Sequence, residues 1–176
     1  MTGLCIIGVD PASSKQGIAV VNTDGCIDRK FTRALGKTSA RECHIILAQI
    51  MAEYEDHRKI VSIEEWSVAA GFFSGKSGKK ETNWTTVKSL ERSGHNWFAA
   101  AEILGLEASR INSSTWHAAY KVLSHQKKAQ ALGAPTTKQQ SQNTVKLVFG
   151  MTVSEDVADA ILIANYVYST EKFRAR

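Results

Sequence analysis

The chain is poor in the residues that staple, break or anchor a polypeptide. It has three cysteines, Cys5, Cys26 and Cys43, and none forms a C-x-x-C pair. That argues against a disulfide framework and against a cysteine zinc site, and suggests a reducing compartment, so a cytoplasmic location is expected. The five histidines show no H-E-x-x-H or comparable ligand spacing. Only two prolines occur in 176 residues, and 43% of the residues are apolar, which fits an ordinary globular protein rather than a disordered one. No apolar run approaches the roughly 18 residues of a membrane span, and the N-terminus lacks a basic-then-apolar signal pattern. The length predicts a single domain over residues 1–176.

Acidic residues are missing from one long segment. Between Ala108 and Ser154 there is no Asp or Glu, while Arg110, Lys121, Lys127, Lys128, Lys138 and Lys146 all fall there. Residues 1–107 balance at 13 basic against 13 acidic and residues 155–176 at 3 against 4, so the whole positive excess behind the net charge of +5 sits in this segment. A basic stretch without acids suits a polyanion such as nucleic acid, although a solvated basic face gives the same pattern.

What is present alternates between short apolar runs and helical stripes. Leu4–Val9 is a continuous apolar run ending at Asp10, which reads as a strand buried on both faces. Pro11–Gly17 is a polar turn, Gly17–Val21 a second strand, Thr23-Asp24-Gly25 a hairpin signal and Cys26–Arg33 a third strand. Ser39 to about Asp56 has helical spacing, and Ile60–Ile63 is a short buried strand ending at Glu64 and Glu65. Residues 66–87 are rich in Gly, Ser and Lys and read as a loop; Lys88–Leu104 reads as a helix closed by Gly105. Leu106–Ile111 is predicted to be a strand and residues 112–132 a polar helix broken by Gly133-Ala134-Pro135. Lys138–Phe149 is predicted to be a helix stopped by Gly150, and Ser154 caps a last helix to about Tyr168. This order predicts an α/β fold: a five-stranded mixed sheet, its first three strands antiparallel, with helices on both faces.

Four acids stand where such a fold concentrates function. Asp10 closes the first strand and Glu64 the fourth, and in an open α/β sheet functional groups gather beyond the carboxyl ends of strands. Asp156 and Asp159 are spaced i, i+3, so they project from one face of the last helix, in its first turns. Singly, an Asp in a first helical turn is most often a dipole partner, and an Asp before Pro most often starts a turn. Together they form a set of like charges that demands a counter-charge, and hard oxygen ligands suit Mg²⁺ or Mn²⁺.

These blocks resemble a known family. Ile7-Gly8-Val9-Asp10-Pro11-Ala12-Ser13-Ser14-Lys15-Gln16-Gly17 looks like the opening motif of the RuvC family of Holliday junction resolvases, which have an RNase H-like fold. Ile63-Glu64-Glu65 is similar to the family's second motif, and Asp156-Val157-Ala158-Asp159-Ala160 to its closing motif. Ser89-Leu90-Glu91-Arg92-Ser93-Gly94 resembles the start of the helix after its fourth strand. The resemblance implies that Asp10, Glu64, Asp156 and Asp159 are catalytic, metal-binding acids, with Glu64 preferred over Glu65 because the family's Glu directly follows the strand's Ile. It implies Mg²⁺, with Mn²⁺ as a substitute, as two ions about 4 Å apart that serve an in-line phosphodiester hydrolysis. Lys138 resembles the family's second functional lysine. The chain departs from the family at Pro11-Ala12 (usually Pro-Gly), in a longer loop after Glu64, and at Trp116-His117, where a Val-Lys pair is common. The basic role there passes to His117 or Lys121, and the departures suggest a divergent, phage-type member acting in a bacterial or phage-infected cell.

The loop Gly71-Phe72-Phe73-Ser74-Gly75-Lys76-Ser77-Gly78-Lys79-Lys80 sets two aromatics among glycines and lysines. Aromatics stack on unpaired bases and lysines hold the backbone, so Phe72, Phe73, Lys76, Lys79 and Lys80 are expected to contact DNA, as are Lys127 and Lys128. By resemblance to the family, Phe72 and Phe73 wedge into a junction centre, with Trp66 as competitor and packing into the core as the plain alternative. Symmetric cutting of a four-way junction implies a homodimer. Part of the face carrying Trp97, Phe98, Ala99, Ala100, Ala101 and Ile103 is a candidate contact, although core packing is the commoner fate. The expected function is Mg²⁺-dependent endonuclease action on four-way DNA junctions. The alternatives are a broader flap or RNA nuclease on the same fold, and a non-catalytic junction-binding protein.

Overall fold

A computed structural model of the chain describes residues 3–65, 84–121 and 135–174. Trp66, Phe72, Phe73, Lys76, Lys79, Lys80, Lys127 and Lys128, expected to touch DNA, lie outside the described residues. Five strands, β1 (Gly3–Asp10), β2 (Gln16–Val21), β3 (Ile27–Leu35), β4 (His57–Glu65) and β5 (Glu107–Asn112), form one sheet in the order β3-β2-β1-β4-β5. β1, β2 and β3 pair antiparallel, whereas β4 lies parallel to β1 and β5 parallel to β4. The predicted mixed sheet is therefore the one observed.

The helices among the described residues are α1 (Ala40–Glu53), α2 (Trp84–Ile103), α3 (Ser113–Ala119), α4 (Thr137–Phe149) and α5 (Glu155–Arg174). Alternation along the central strands divides the core between two faces. Cys5, Ile7, Val9, Val61 and Ile63 point to α1 and α2, where they meet Cys43, Leu47, Ile50 and Trp97. Ile6, Ala19, Val21 and Ile60 point the other way, toward the buried face of α5. Asp10 and Glu64 continue that second series, so both side chains emerge on the α5 side, and Glu65 emerges on the α2 side.

Local signals account for the helix ends. Ser39 caps α1 in a reciprocal pair with Glu42, Thr136 caps α4 in the same way with Gln139, and α4 stops at Gly150 with a left-handed φ of 66°. The Nε1–H of Trp97 donates to Gln16 Oε1 at 2.7 Å, and Gln16 Nε2 donates to Thr38 Oγ1 at 2.8 Å. This satisfied buried network ties α2 to the start of β2.

Three elements differ from the sequence expectation. α2 starts at Trp84 rather than Lys88, because Val87 is buried and gives the polar opening turn an apolar anchor. α3 ends at Ala119, and Lys121 has a φ of 56°, which halts helical hydrogen bonding there; the expected helix beyond it, to 132, lies outside the described residues. α5 continues past Tyr168 to Arg174. Its last turns lack an apolar stripe but are held by charge: Arg58 bonds Glu171 at 2.9 Å, and Lys172 and Arg174 suit the helix C-terminus. On α2, Trp97, Ala100 and Ala101 are core, Phe98 packs partly against it, and Ile103 is exposed. Among the described residues no helix is long and apolar enough to cross a membrane.

Candidate active site

The parallel register of β1 and β4 places Val9 opposite Ile63, and so brings the next pair, Asp10 and Glu64, side by side at the carboxyl edge of the sheet. The two carboxyl groups are hydrogen-bonded to each other. In the antiparallel register on the other side of β1, Asp10 faces Gly17. A Cβ on Gly17 would sit 1.8 Å from the carbonyl oxygen of Asp156, and one on Gly8 would sit 2.2 Å from that of Ala160. These two glycines let the first turns of α5 lie directly on the sheet, which carries Asp156 and Asp159 over Asp10. Gly17→Ala is expected to push this end of α5 outward at a cost of about 1–3 kcal/mol. Thermal unfolding should show that loss as about 2–4 °C per kcal/mol; an unchanged Tm would mean that the helix yields at no cost.

Electrostatics follow from crowding carboxylates in a poorly hydrated corner. Burial, then the neighbouring Glu64 and Asp156, raise the Asp10 pKa well above its ordinary value. Burial pushes Glu64 up to about 7, with the Asp159 charge adding to it, against hydrogen bonds from Asp10 and Trp116. Asp159 is pushed up to about 7, again chiefly by burial and then by Asp10, while a hydrogen bond with Ser141 opposes the rise. One oxygen of Asp159, Oδ1, is buried without a hydrogen-bond partner. Lys138, at the start of α4, approaches from the solvent side, with Nζ 3.6 Å from Asp156 Oδ1 and 3.3 Å from Glu155 Oε2.

The structure thus brings together Asp10, Glu64, Asp156, Asp159 and Lys138. Glu65 turns away toward Arg110, 4.0 Å distant. His117 is half-buried against the Trp116 ring, at a centroid distance of 3.9 Å, and burial lowers its pKa. Lys121 is exposed beyond the end of α3. Among the described residues, neither is hydrogen-bonded or ion-paired to the acid cluster. The contact at that position is instead made by Trp116, whose Nε1–H donates to Glu64 Oε1 at 3.2 Å. Sequence reasoning singled out the Trp116-His117 pair but looked for a base there, so it passed over the indole. Ser141, the partner of Asp159, was also missed; its place one turn after Lys138 on α4 was the available signal.

A divalent cation suits this donor set. All the donors are hard carboxylate oxygens, one of them is buried and unsatisfied, and each raised proton affinity measures the same unmet need for positive charge. Among the described residues, no three His, Cys, Asp or Glu side chains already stand as a closed ligand set. Asp10 and Glu64 are engaged with each other, and Asp156 leans to Lys138, so binding would exchange those contacts for the ion.

No protein-family model matches the sequence, and no curated protein matches it. Among solved structures, the chain is similar to RuvC of Thermus thermophilus in complex with a Holliday junction substrate. The identity is 14%, the TM-score is 0.60, and the alignment covers 96% of each chain. A second structure of Thermus thermophilus RuvC aligns at 14% identity and a TM-score of 0.59 over 97% of each chain. Sheet order, strand directions and the helices that cover both faces therefore give this chain the RNase H-like fold in the form that RuvC has.

Proposed function

We propose that the chain is a divalent-metal-dependent endonuclease that cuts branched DNA, with the four-way junction as its substrate. The observation that supports this most is the convergence of Asp10, Glu64 and Asp159, all with raised proton affinity, at the carboxyl edge of a RuvC-like sheet. Asp10, central in the cluster, would take part in holding both ions of a two-metal site; Glu64 and Asp156 would each complete one side, and Asp159 would bind an ion or orient its water. Bound Mg²⁺ supplies Lewis acidity toward the phosphodiester and lowers the pKa of water. Trp116 holds the Glu64 carboxylate through its indole N–H, which fixes the direction in which that side chain offers its oxygens. Lys138 adds a mobile positive charge at the open side of the cluster, able to leave Glu155 and Asp156 for a phosphate oxygen. Two symmetric cuts in a four-way junction call for a homodimer.

The test is cleavage of a synthetic four-way junction beside linear duplex, flap and RNA–DNA hybrid controls, each with Mg²⁺ and with EDTA. Symmetric, Mg²⁺-dependent cuts near the branch point of the junction are the expected result. Preferential cutting of the flap or the hybrid would keep the nuclease and discard the junction. Tight junction binding without any cut would leave only a binding protein.

A further inference from the structure

Beside the acid cluster lies a cavity of opposite character. It has a volume of about 330 Å³, and among the described residues its lining includes Ser13, Lys37, Lys88, Arg92, Ser93 and Asn96 but no carboxylate. Three separate parts of the chain build it: the β1–β2 turn that follows Asp10, the residues after β3, and one face of α2. Lys88 and Arg92 are spaced i, i+4 on α2, so two like charges share one side of the helix, an arrangement that costs stability unless an anion joins them. Among the described residues, none of Lys37, Lys88 and Arg92 is in an ion pair. Ser93 lends backing to this wall: it is buried, with 6% of its surface exposed, and its Oγ is enclosed within the protein. Three cations without an ion-pair partner among the described residues, gathered around a small hollow, form a receptor for a tetrahedral oxyanion.

The position of the cavity says which oxyanion. Ser13 is three residues beyond Asp10, so the cavity wall lies at most about 11 Å along the chain from the acid cluster. Lys88 and Arg92 also border the neighbouring groove, whose lining includes Pro11, Glu64, Glu65, Glu91 and Arg110, and so join the two spaces. A nucleic-acid strand advances about 3.4 Å per phosphate along its axis. A strand whose scissile group rests at the acids would therefore pass this cavity within about three nucleotides.

We propose that the cavity is a second phosphate site, which grips the backbone of the cut strand beside the scissile position through Lys37, Lys88 and Arg92. This rests on the nuclease reading above. It adds that the register of the strand is set by a basic pocket on the α2 side of the β1–β2 turn, in addition to the acids on the α5 side. Arg92 offers the planar fork for two phosphate oxygens, and the lysines act as point charges.

The experiment measures binding of a labelled four-way junction in EDTA between 50 and 200 mM salt. It compares the wild-type chain, Lys37→Ala/Lys88→Ala/Arg92→Ala, and a control that removes equal charge from β3 and α1, Arg29→Ala/Arg33→Ala/Arg41→Ala. The pocket variant should bind at least about tenfold more weakly, and its slope of log K against log salt should be smaller by about one. The control should keep the wild-type slope, and single Arg92→Lys should lie between. Equal losses in the pocket variant and the control would overturn the pocket, as would an unchanged slope in the pocket variant. A wild-type chain that binds no junction, flap or duplex would sink the nuclease reading, and the pocket with it. All three side chains are exposed, so the variants should melt with the wild type, and circular dichroism checks that.

Discussion

Asp10→Asn should cut Mg²⁺-dependent cleavage by about a hundred- to a thousandfold, while making the metal-free protein more stable. The two effects share one cause. Asp10 is buried beside Glu64 and Asp156, and burial with like charge raises its pKa far above the ordinary carboxylate value. The folded chain holds this group at a cost, which an ion would offset. Asparagine keeps the volume and one acceptor oxygen but removes the charge that would hold a cation. The loss of activity follows because the metal supplies most of the catalysis in such a site, and electrostatic groups of this kind are worth about 10²–10³ singly. The gain in stability follows because one of several crowded carboxylates no longer has to choose between repulsion and protonation. Single-turnover cleavage and thermal melts in EDTA measure both. A variant that cuts at the wild-type rate would end the catalytic assignment; a variant less stable than wild type would show that the carboxylate is a structural asset.

In EDTA the protein should lose stability as pH rises from about 4 to about 7, and Mg²⁺ should restore it most at the alkaline end. Glu64 and Asp159 are both pushed up to about 7, from ordinary values of 4.5 and 3.8, mainly by burial. A raised pKa means that the folded chain binds the proton more tightly than the unfolded chain does. Their contribution is then full below about pH 4 and is lost as pH climbs through 7. Each tenfold change in proton affinity is worth about 1.4 kcal/mol, so the cluster as a whole shifts stability by several kcal/mol. Mg²⁺ competes with those protons, and at a hundred times its Kd it would return about 2.7 kcal/mol. Melting curves at pH 5 and pH 8, with EDTA and with Mg²⁺, compare wild type with Asp10→Asn and so cancel the titration of surface groups. A metal-free Tm difference between the two proteins that does not vary with pH would count against the buried cluster. An Mg²⁺ shift retained in full by Asp10→Asn would place the ion elsewhere.

Much of this molecule is legible along the chain. The run Leu4–Val9, the capping box at Ser39, the stop at Gly150 and the i, i+3 spacing of Asp156 and Asp159 are each written within a few residues. Such signals depend on backbone sterics, hydrogen-bonding caps and periodic burial, which operate locally. They sufficed to predict the sheet, its mixed directions, the helices on both faces and the acids at strand ends. They misjudged elements held by distant partners. The first turn of α2 rests on the burial of Val87, and the end of α5 on Arg58 from another strand.

The choice between Glu64 and Glu65 shows where the sequence alone stops. Both close the same strand, and only the pairing of Val9 with Ile63 puts Glu64 beside Asp10 and turns Glu65 to the opposite face. The same holds for the Trp116 indole on Glu64, for Gly17 beneath Asp156, and for a basic cavity drawn from the β1–β2 turn, the end of β3 and α2. By itself the sequence determined which elements form and which residues carry charge. Only the tertiary structure decided which of those charges meet, because strand register and helix docking join residues that no local pattern relates.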